Sequence, residues 1–289
     1  MVLALAEAAE RADGVAPLSE HVLLHVRKAS AEQSRDLLLL AGDTLAGYAH
    51  LDAPEEHGPA AGDMSGELVV HPARRRNGYG TELISALAAG ADGHGIRLWA
   101  HGDLPGAAGL ARSAGFTRVR ALWQMRMPLA GAALPSPVFP AGTTLRTFRP
   151  GQDEEAWLRV NGRAFADHPE QGSWTREDLA LREAEPWFDP EGFFLAEREG
   201  TLAGFHWTKV HPAQGGEQPI GEVYVVGTDP ARQGGGLGRA LTLAGLAHLR
   251  RAGLTQVMLY VDESNTPAVR MYTALGFTRW SADVMYRRA

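Results

Sequence analysis

One sequence pattern occurs twice in this chain, and it limits the fold to something that half the chain can build. The first half contains Leu68-Val69-Val70-His71-Pro72, followed by Arg75-Arg76-Asn77-Gly78-Tyr79-Gly80. The second half contains Val226-Gly227-Thr228-Asp229-Pro230, followed by Gln233-Gly234-Gly235-Gly236-Leu237-Gly238. Pro72 stands as far from Gly78 as Pro230 does from Gly236. Farther along, Ser113-Ala114-Gly115-Phe116-Thr117 answers Ala274-Leu275-Gly276-Phe277-Thr278. Three features repeated in one order indicate a duplication. With 289 residues, each copy has the length of an ordinary domain. Residues 1–130 are the expected first domain and 144–289 the second. Between them, residues 131–143 belong to a stretch rich in Ala, Gly and Pro (Pro135, Pro137, Pro140), which reads as a linker.

Each copy reads as strands, a strand–turn–helix step, a strand, a helix and a last strand. In the second copy Phe193-Phe194-Leu195-Ala196 and the run from Leu202 to His211 form an expected hairpin turning near Glu199-Gly200. Val223 to Val226 reads as a short strand. Leu237, Ala240, Leu241, Ala244 and Ala247 recur at helical spacing and run out near Arg251. Val257 to Val261 is another strand, and Asn265 to Leu275 a helix stopped by Gly276. The expected class is α/β (α+β), with two tandem domains, each a mixed, mostly antiparallel sheet flanked by helices.

Several functions are excluded early. A formal charge of −6 argues against a nucleic-acid partner, although backbone amides can bind a small anion in an acidic protein. The absence of cysteine removes disulfides, thiolate metal sites and a cysteine nucleophile. No segment approaches about 18 uninterrupted apolar residues, so no membrane span is expected. The opening stretch carries Glu7 and Glu10 without a basic cluster, which makes a cytoplasmic location the expectation. Among the 11 histidines, His206 and His211 lie on one strand but face opposite sides, and no His/Asp/Glu grouping has ligand spacing. No metal site is therefore expected.

The strand–[Gln/Arg]-x-x-Gly-x-Gly–helix step carries chemistry through its geometry. Glycines permit a tight turn and close backbone approach. Successive N–H groups and the positive end of the next helix then converge on one point, where a pyrophosphate fits. The step is not a nucleotide P-loop, because Gly238-Arg239-Ala240 stands where Gly-Lys-Ser/Thr would be. It also lacks the dinucleotide fingerprint, since Leu241 occupies the third glycine position.

The pattern resembles the GNAT superfamily of N-acetyltransferases, whose CoA pyrophosphate loop is Gln/Arg-x-x-Gly-x-Gly/Ala, and the resemblance covers both halves. It implies acetyl-CoA as co-substrate, with Val226, Gly227 and Thr228 at the acetyl group and Gln233, Gly234, Gly235, Gly236, Leu237, Gly238 and Arg239 at the pyrophosphate. Asn265, Thr266, Pro267, Ala268, Val269 and Arg270 are implied CoA contacts too. The first copy offers Leu68, Val69, Val70, Arg75, Arg76, Asn77, Gly78, Tyr79, Gly80 and Thr81 for a second CoA.

Within the superfamily, four segments are similar to the mycothiol synthases: His168-Pro169-Glu170-Gln171-Gly172, the run from Phe205 to His211, that from Glu222 to Gly227, and Leu259-Tyr260-Val261. Gly14-Val15-Ala16-Pro17 adds a fifth. These enzymes acetylate the cysteinyl amine of a cysteinyl-glucosaminyl-inositol, the last step of mycothiol formation. The Arg-, Ala- and Gly-rich composition fits an actinobacterial origin. The resemblance implies acceptor contacts at Glu20, Glu170, Lys209, Glu222 and Tyr260. Lys209 is also one of only two lysines in the chain.

Acetylating an amine needs a neutral nucleophile and a proton for the departing thiolate. An α-amino group has a pKa of about 7.7–8.0, so a carboxylate acting through water suffices as base. Glu222, four residues before Val226, is the candidate base, and Tyr272 the candidate acid. Counting between the repeats makes Met64 the match of Glu222 and Ala111 that of Tyr272, so the first copy is expected to bind without catalysis. Glu67, three residues on, is expected to face the other side of its strand. The reading leaves two alternatives open: a GNAT enzyme of another small-molecule or peptide amine, and a CoA-binding sensor without turnover. A small-molecule amine is the expected partner, and a monomer the expected state.

Overall fold

The computed structural model describes residues 1–28, 34–54, 62–166, 168–213 and 218–289; the side chains of Lys28, Pro169 and Glu170 lie outside that description. The chain folds into two compact units, Met1–Trp123 with Ser281–Ala289, and Gln124–Trp280.

The elements run α1 (Val2–Asp13), α2 (Glu20–Lys28), β1 (Arg35–Ala41), β2 (Thr44–Pro54), β3 (Met64–Val70), α3 (Tyr79–Gly90), β4 (Ile96–Ala100), α4 (Pro105–Ser113) and β5 (Thr117–Pro128). They continue with β6 (Thr143–Thr147), α5 (Glu154–Ala164), α6 (Pro169–Gly172), α7 (Arg176–Glu183), β7 (Phe193–Arg198), β8 (Thr201–His211), β9 (Ile220–Thr228), α8 (Leu237–Arg251), β10 (Gln256–Asp262), α9 (Thr266–Leu275) and β11 (Thr278–Arg288).

In the first unit the strand order is β1-β2-β3-β4-β11-β5, and in the second β10-β9-β8-β7-β6 with the end of β5 beside β10. β3 with β4 and β9 with β10 pair in parallel, each bridged by a crossover helix, while β1–β2, β2–β3, β4–β11, β6–β7, β7–β8 and β8–β9 are antiparallel. This is the mixed sheet that the sequence implies. The division of the chain differs from the expected one. The boundary falls inside β5, and Ser281–Ala289 completes the first unit by pairing with β4, from Val284↔Ala100 to Arg288↔Ile96. Leu129, at the start of the proline-rich stretch, is fully buried and its N–H donates to Thr255 O.

Local chemistry explains the elements that carry the second copy. Glu199 and Gly200 both have positive φ (52° and 72°), the geometry of a two-residue hairpin turn joining β7 to β8. α8 follows its N-cap Gly236, buries Leu237, Ala240, Leu241 and Ala244 on one stripe, and ends in His248, Arg250 and Arg251, which suit the negative end of the helix dipole. α9 is capped by Asn265, whose side chain accepts from Ala268 N, and stops at Gly276 with φ 103°.

Two layers of helix cover the second unit's sheet. On the α5–α7 face, Phe193 stacks on Trp207 at 4.5 Å, and Trp157 meets Phe205 and Trp207 edge-on. On the α8 face, Leu237 and Leu241 pack against Ala196, Ala203 and Val226. The first unit repeats the scheme, with α3 on one face (Leu83, Leu87, Leu98) and α1–α2 on the other (Leu5, Val22, Tyr48, Val69).

Candidate active site

The ladder between β9 and β10 is short. It runs from Val257↔Gly221 to Leu259↔Val223 and then stops. Among the described residues, the backbone from Val225 to Thr228 therefore has β8 as its strand partner on one side and none on the other. In the first unit β3 and β4 separate in the same way after Glu67↔Trp99. Each unit thus presents a strand with unpaired amides, leading into a glycine turn and a helix N-terminus.

In the second unit the turn itself is open. Gly234, Gly235 and Gly236 have φ of 105°, 60° and 82°, and no atom lies within 4 Å of where a Cβ on Gly234 or Gly236 would sit. Gln233 through Gly236 are exposed; the Leu237 amide donates to Gly234 O at 3.3 Å, while those of Gly238 and Arg239 lie in the first turn of α8, where no intrahelical carbonyl is available. These are the features that a pyrophosphate cradle requires, so the residues fit a CoA diphosphate. The first unit's cradle is more engaged. Arg75 forks onto Asp13 with two bonds of 2.6 Å, and Asn77 Nδ2 donates to the carbonyls of Arg74 and Arg75. Arg76 takes the positive φ (64°) that Gly234 takes in the second copy. Gly80 packs so closely on Leu110 that a Cβ would lie 2.8 Å from Leu110 Cδ2.

A β-bulge decides which side chains share a face with Glu222. Trp207 pairs with Val225 and Thr208 with Val223, leaving Tyr224 as the extra residue. The strand's phase shifts there, so Glu222, Tyr224 and Val225 all face α5 and α7, while Val226 faces α8. Glu222 is buried and stands opposite Lys209; His211 Nε2 lies 2.6 Å from its Oε2. The Lys209 ammonium sits over the rings of Trp187 (4.3 Å) and Tyr224 (5.0 Å). Arg182 Nε donates to Tyr224 Oη (2.9 Å), and its guanidinium covers Trp174 at 3.8 Å. On β10, Met258 faces Glu222, and alternation puts Tyr260 on the same side, where its hydroxyl accepts from Gln124 Nε2 at 2.7 Å.

The fold thus gathers Lys209, Glu222 and Tyr260 on one face. Tyr272 is buried near the C-terminal end of α9, edge-on to Phe277, and burial raises its phenol well above the ordinary value. Glu20 opens α2 in the first unit, and α6 carries Glu170, whose side chain lies outside the described residues. Sequence reasoning missed His211, Arg182, Trp174, Trp187 and Tyr224, although the density of aromatic residues around Trp207 is itself a signal.

The bulge also corrects the match between the copies. Glu222 stands opposite Met258, and counting from the Gly-Phe anchors makes Arg97 the counterpart of Met258; opposite Arg97 stands Ser65. The match of Glu222 is Ser65, not Met64, because β9 has one residue more. Glu67 therefore lies on the equivalent face, not the opposite one. It is buried there, accepting from Ser19 N (2.7 Å) and lying 3.5 Å from His101 Nε2.

Residues 4–116 and 157–277 match the acetyltransferase (GNAT) family. A mycothiol acetyltransferase of Thermobispora bispora is 64% identical over 288 residues, covering 99% of this chain and 95% of its own. That of Thermomonospora curvata is 64% identical over 286 residues, covering 99% and 92%. Among solved structures, a GCN5-related N-acetyltransferase from Sphaerobacter thermophilus aligns with a TM-score of 0.70 and 26% identity, over 99% of this chain and 91% of that one. A tandem GNAT protein from the clavulanic acid biosynthesis pathway shares the fold at a TM-score of 0.75 and 22% identity, over 99% and 93%. The two cradles and these full-length likenesses lead to one conclusion: the chain belongs to the acetyltransferase (GNAT) family, and within it to the mycothiol acetyltransferases.

Proposed function

We propose that this protein moves the acetyl group of acetyl-CoA to the cysteinyl amine of a cysteinyl-glucosaminyl-inositol, completing mycothiol, and that the second copy performs the chemistry. The likeness to mycothiol acetyltransferases over the whole chain carries the reaction. The buried Glu222 beside the unpaired end of β9 supports the choice of copy.

Acetyl-CoA supplies an activated thioester. The unpaired amides of β9 near Val226 to Thr228 would hold its carbonyl oxygen, and the cradle from Gln233 to Arg239, flanked by the start of α9 (Asn265 to Arg270), its phosphates. Glu222 takes the proton that the amine sheds as its nitrogen bonds to the acetyl carbon. Tyr272, kept protonated by burial, donates to the sulfur as the C–S bond breaks. Lys209, Tyr260 and the aromatic groups around them form the acceptor side, with Glu170 as a further acceptor contact. A polyhydroxylated acceptor suits such a mixture of charge, phenol and ring faces.

The first copy we read as a cradle without a base. Ser65 cannot replace Glu222, and Ala111 cannot replace Tyr272; Glu67 is committed to Ser19 and His101. A second acetyl-CoA bound there would be a resident, not a reactant. No helix among the described residues is long and apolar enough to cross a membrane, and a cytoplasmic monomer with a small-molecule partner suits this reading.

The test is acetyl transfer to a panel of amines, including cysteinyl-glucosaminyl-inositol, read by mass spectrometry with acetyl-CoA as donor. Preference for that acceptor supports the assignment; a better specificity constant for an unrelated amine would overturn it.

A further inference from the structure

The first unit has its own version of the face that carries Lys209 and Trp207, and its chemistry is different. Gly47 pairs with Val70 as Gly204 pairs with Thr228, which aligns β2 with β8. In this alignment His50 stands where Trp207 does, and Asp52 where Lys209 does. An aromatic–ammonium surface in one copy is an imidazole–carboxylate surface in the other.

Three of these groups converge. His50 and Asp52 alternate along β2 and so share a face, and α2 delivers His21 to the same place. Asp52 Oδ1 lies 3.0 Å from His21 Nε2 and 3.1 Å from His50 Nε2, and all three ligand atoms lie within 4.8 Å of one another. The other side of the His50 ring is fixed. Its Nδ1 is 2.8 Å from Asp36 Oδ1, on the neighbouring strand β1 in direct register, and Tyr48 Oη donates to the same oxygen at 2.6 Å. His50 is fully buried, whereas the His21 side chain is 54% exposed.

We propose that His21, His50 and Asp52 form a divalent transition-metal site that takes Zn²⁺, with Asp36 orienting His50. Zinc binds imidazole nitrogen and carboxylate oxygen at about 2.0–2.2 Å, which puts neighbouring ligand atoms about 3.3 Å apart in a tetrahedron. The two Asp52 contacts already have nearly that spacing, and His21, half in solvent, is free to swing inward. His50 donating through Nδ1 to Asp36 leaves Nε2 to the metal, the carboxylate–histidine–metal arrangement that outer ligands commonly provide. Three protein ligands leave one position for water or an incoming group. Two imidazoles favour zinc, nickel or copper over calcium or magnesium. Sequence spacing hid the set because His21 is 29 residues from His50.

The experiment is calorimetric titration of the full-length chain, stripped of metal by chelator, with Zn²⁺ alone, alongside the absorption spectrum of the Co²⁺-loaded protein. We expect one equivalent bound with a dissociation constant in the micromolar range or below, and a visible Co²⁺ band of four-coordinate intensity. His21→Ala and Asp52→Asn should each weaken Zn²⁺ at least tenfold, and Asp36→Asn less. His25→Ala should leave binding unchanged, since His25 meets Asp36 and the ring of His50 but is not one of the three proposed ligands. Thermal melts identify any variant that fails to fold, and His21, exposed at a helix start, provides the variant least exposed to that risk. No saturable binding would overturn the site. So would binding that survives both His21→Ala and Asp52→Asn, or that His25→Ala abolishes.

Discussion

His211 Nε2 and Glu222 Oε2 meet at 2.6 Å across β8 and β9, two positions out of register. The pair sits on the face that carries Lys209, and His211 is one-third exposed while Glu222 is buried. A buried carboxylate is thus connected to solvent by an imidazole.

Glu222→Gln should lower turnover by roughly 10²–10³, the usual scale for losing one general base. The Michaelis constant for acetyl-CoA should stay within about twofold, because the cradle lies elsewhere on β9 and α8. Steady-state kinetics at saturating amine check this; undiminished turnover would take Glu222 out of the mechanism.

His211→Ala should reduce kcat by about tenfold while sparing the acetyl-CoA constant, since it removes the group that orients the carboxylate. His211→Gln, whose amide can still donate to Glu222, should recover part of the loss. Equal defects in both variants would point to a purely structural role.

The two cradles should respond differently to a bulky residue at the helix-start glycine. Gly236→Val puts a β-branched side chain at φ 82° and fills the open turn. Acetyl transfer should then fall by tenfold or more. Gly78→Val, at φ 86°, should leave an active enzyme. Gly80 is unsuitable for this comparison, because its contact with Leu110 would unsettle the fold itself. If only the Gly78 variant is inactive, the roles of the copies are reversed.

Gly245→Ala should destabilise the protein although it removes a glycine from a helix. The gain in helix propensity is about 1 kcal/mol. Against it, the new Cβ would overlap the buried ring of His206, which is held through Nδ1 by Leu241 O at 2.8 Å. Overpacking of this kind costs about 1–3 kcal/mol. A lower Tm is therefore expected, and a higher one would show that the ring can move away.

His101 offers a test by pH. Burial disfavours its charged form, but Asp283 at 3.0 Å and Glu67 at 3.5 Å outweigh that and push it up to about 10, from an ordinary value of 6.5. A folded-state value above the unfolded one means stability that is complete below pH 6.5 and lost as pH rises through about 10. The wild type should lose Tm over that window. His101→Gln should be less stable at pH 7 and show a flatter decline. A parallel decline in both proteins would remove His101 from the effect.

Much of the fold was legible because the repeat is punctuated by residues with fixed backbone demands: Pro72 and Pro230, Gly78 and Gly236, Gly276 at its helix stop. The bulge at Tyr224 carries no such mark, since neither glycine nor proline sits there, and a count along the chain passed over it. That single residue moved the match of Glu222 from Met64 to Ser65 and brought Glu67 onto the face it was expected to avoid. Lys209 was found through family resemblance, but the rings beneath it come from β9 and the loop after α7, a proximity that only the register reveals. The imidazole–carboxylate groups of α2 and β2 were invisible for the same reason.

The placement of Ser281–Ala289 has a consequence for how the protein is made. The strand that lies between β4 and β5 is synthesised 158 residues after Trp123. At about 5–20 residues per second, the ribosome needs roughly 8–30 s to cover that distance. Throughout that interval β4 exposes an unpaired edge, a template for wrong pairing. The unit translated first is thus the one finished last.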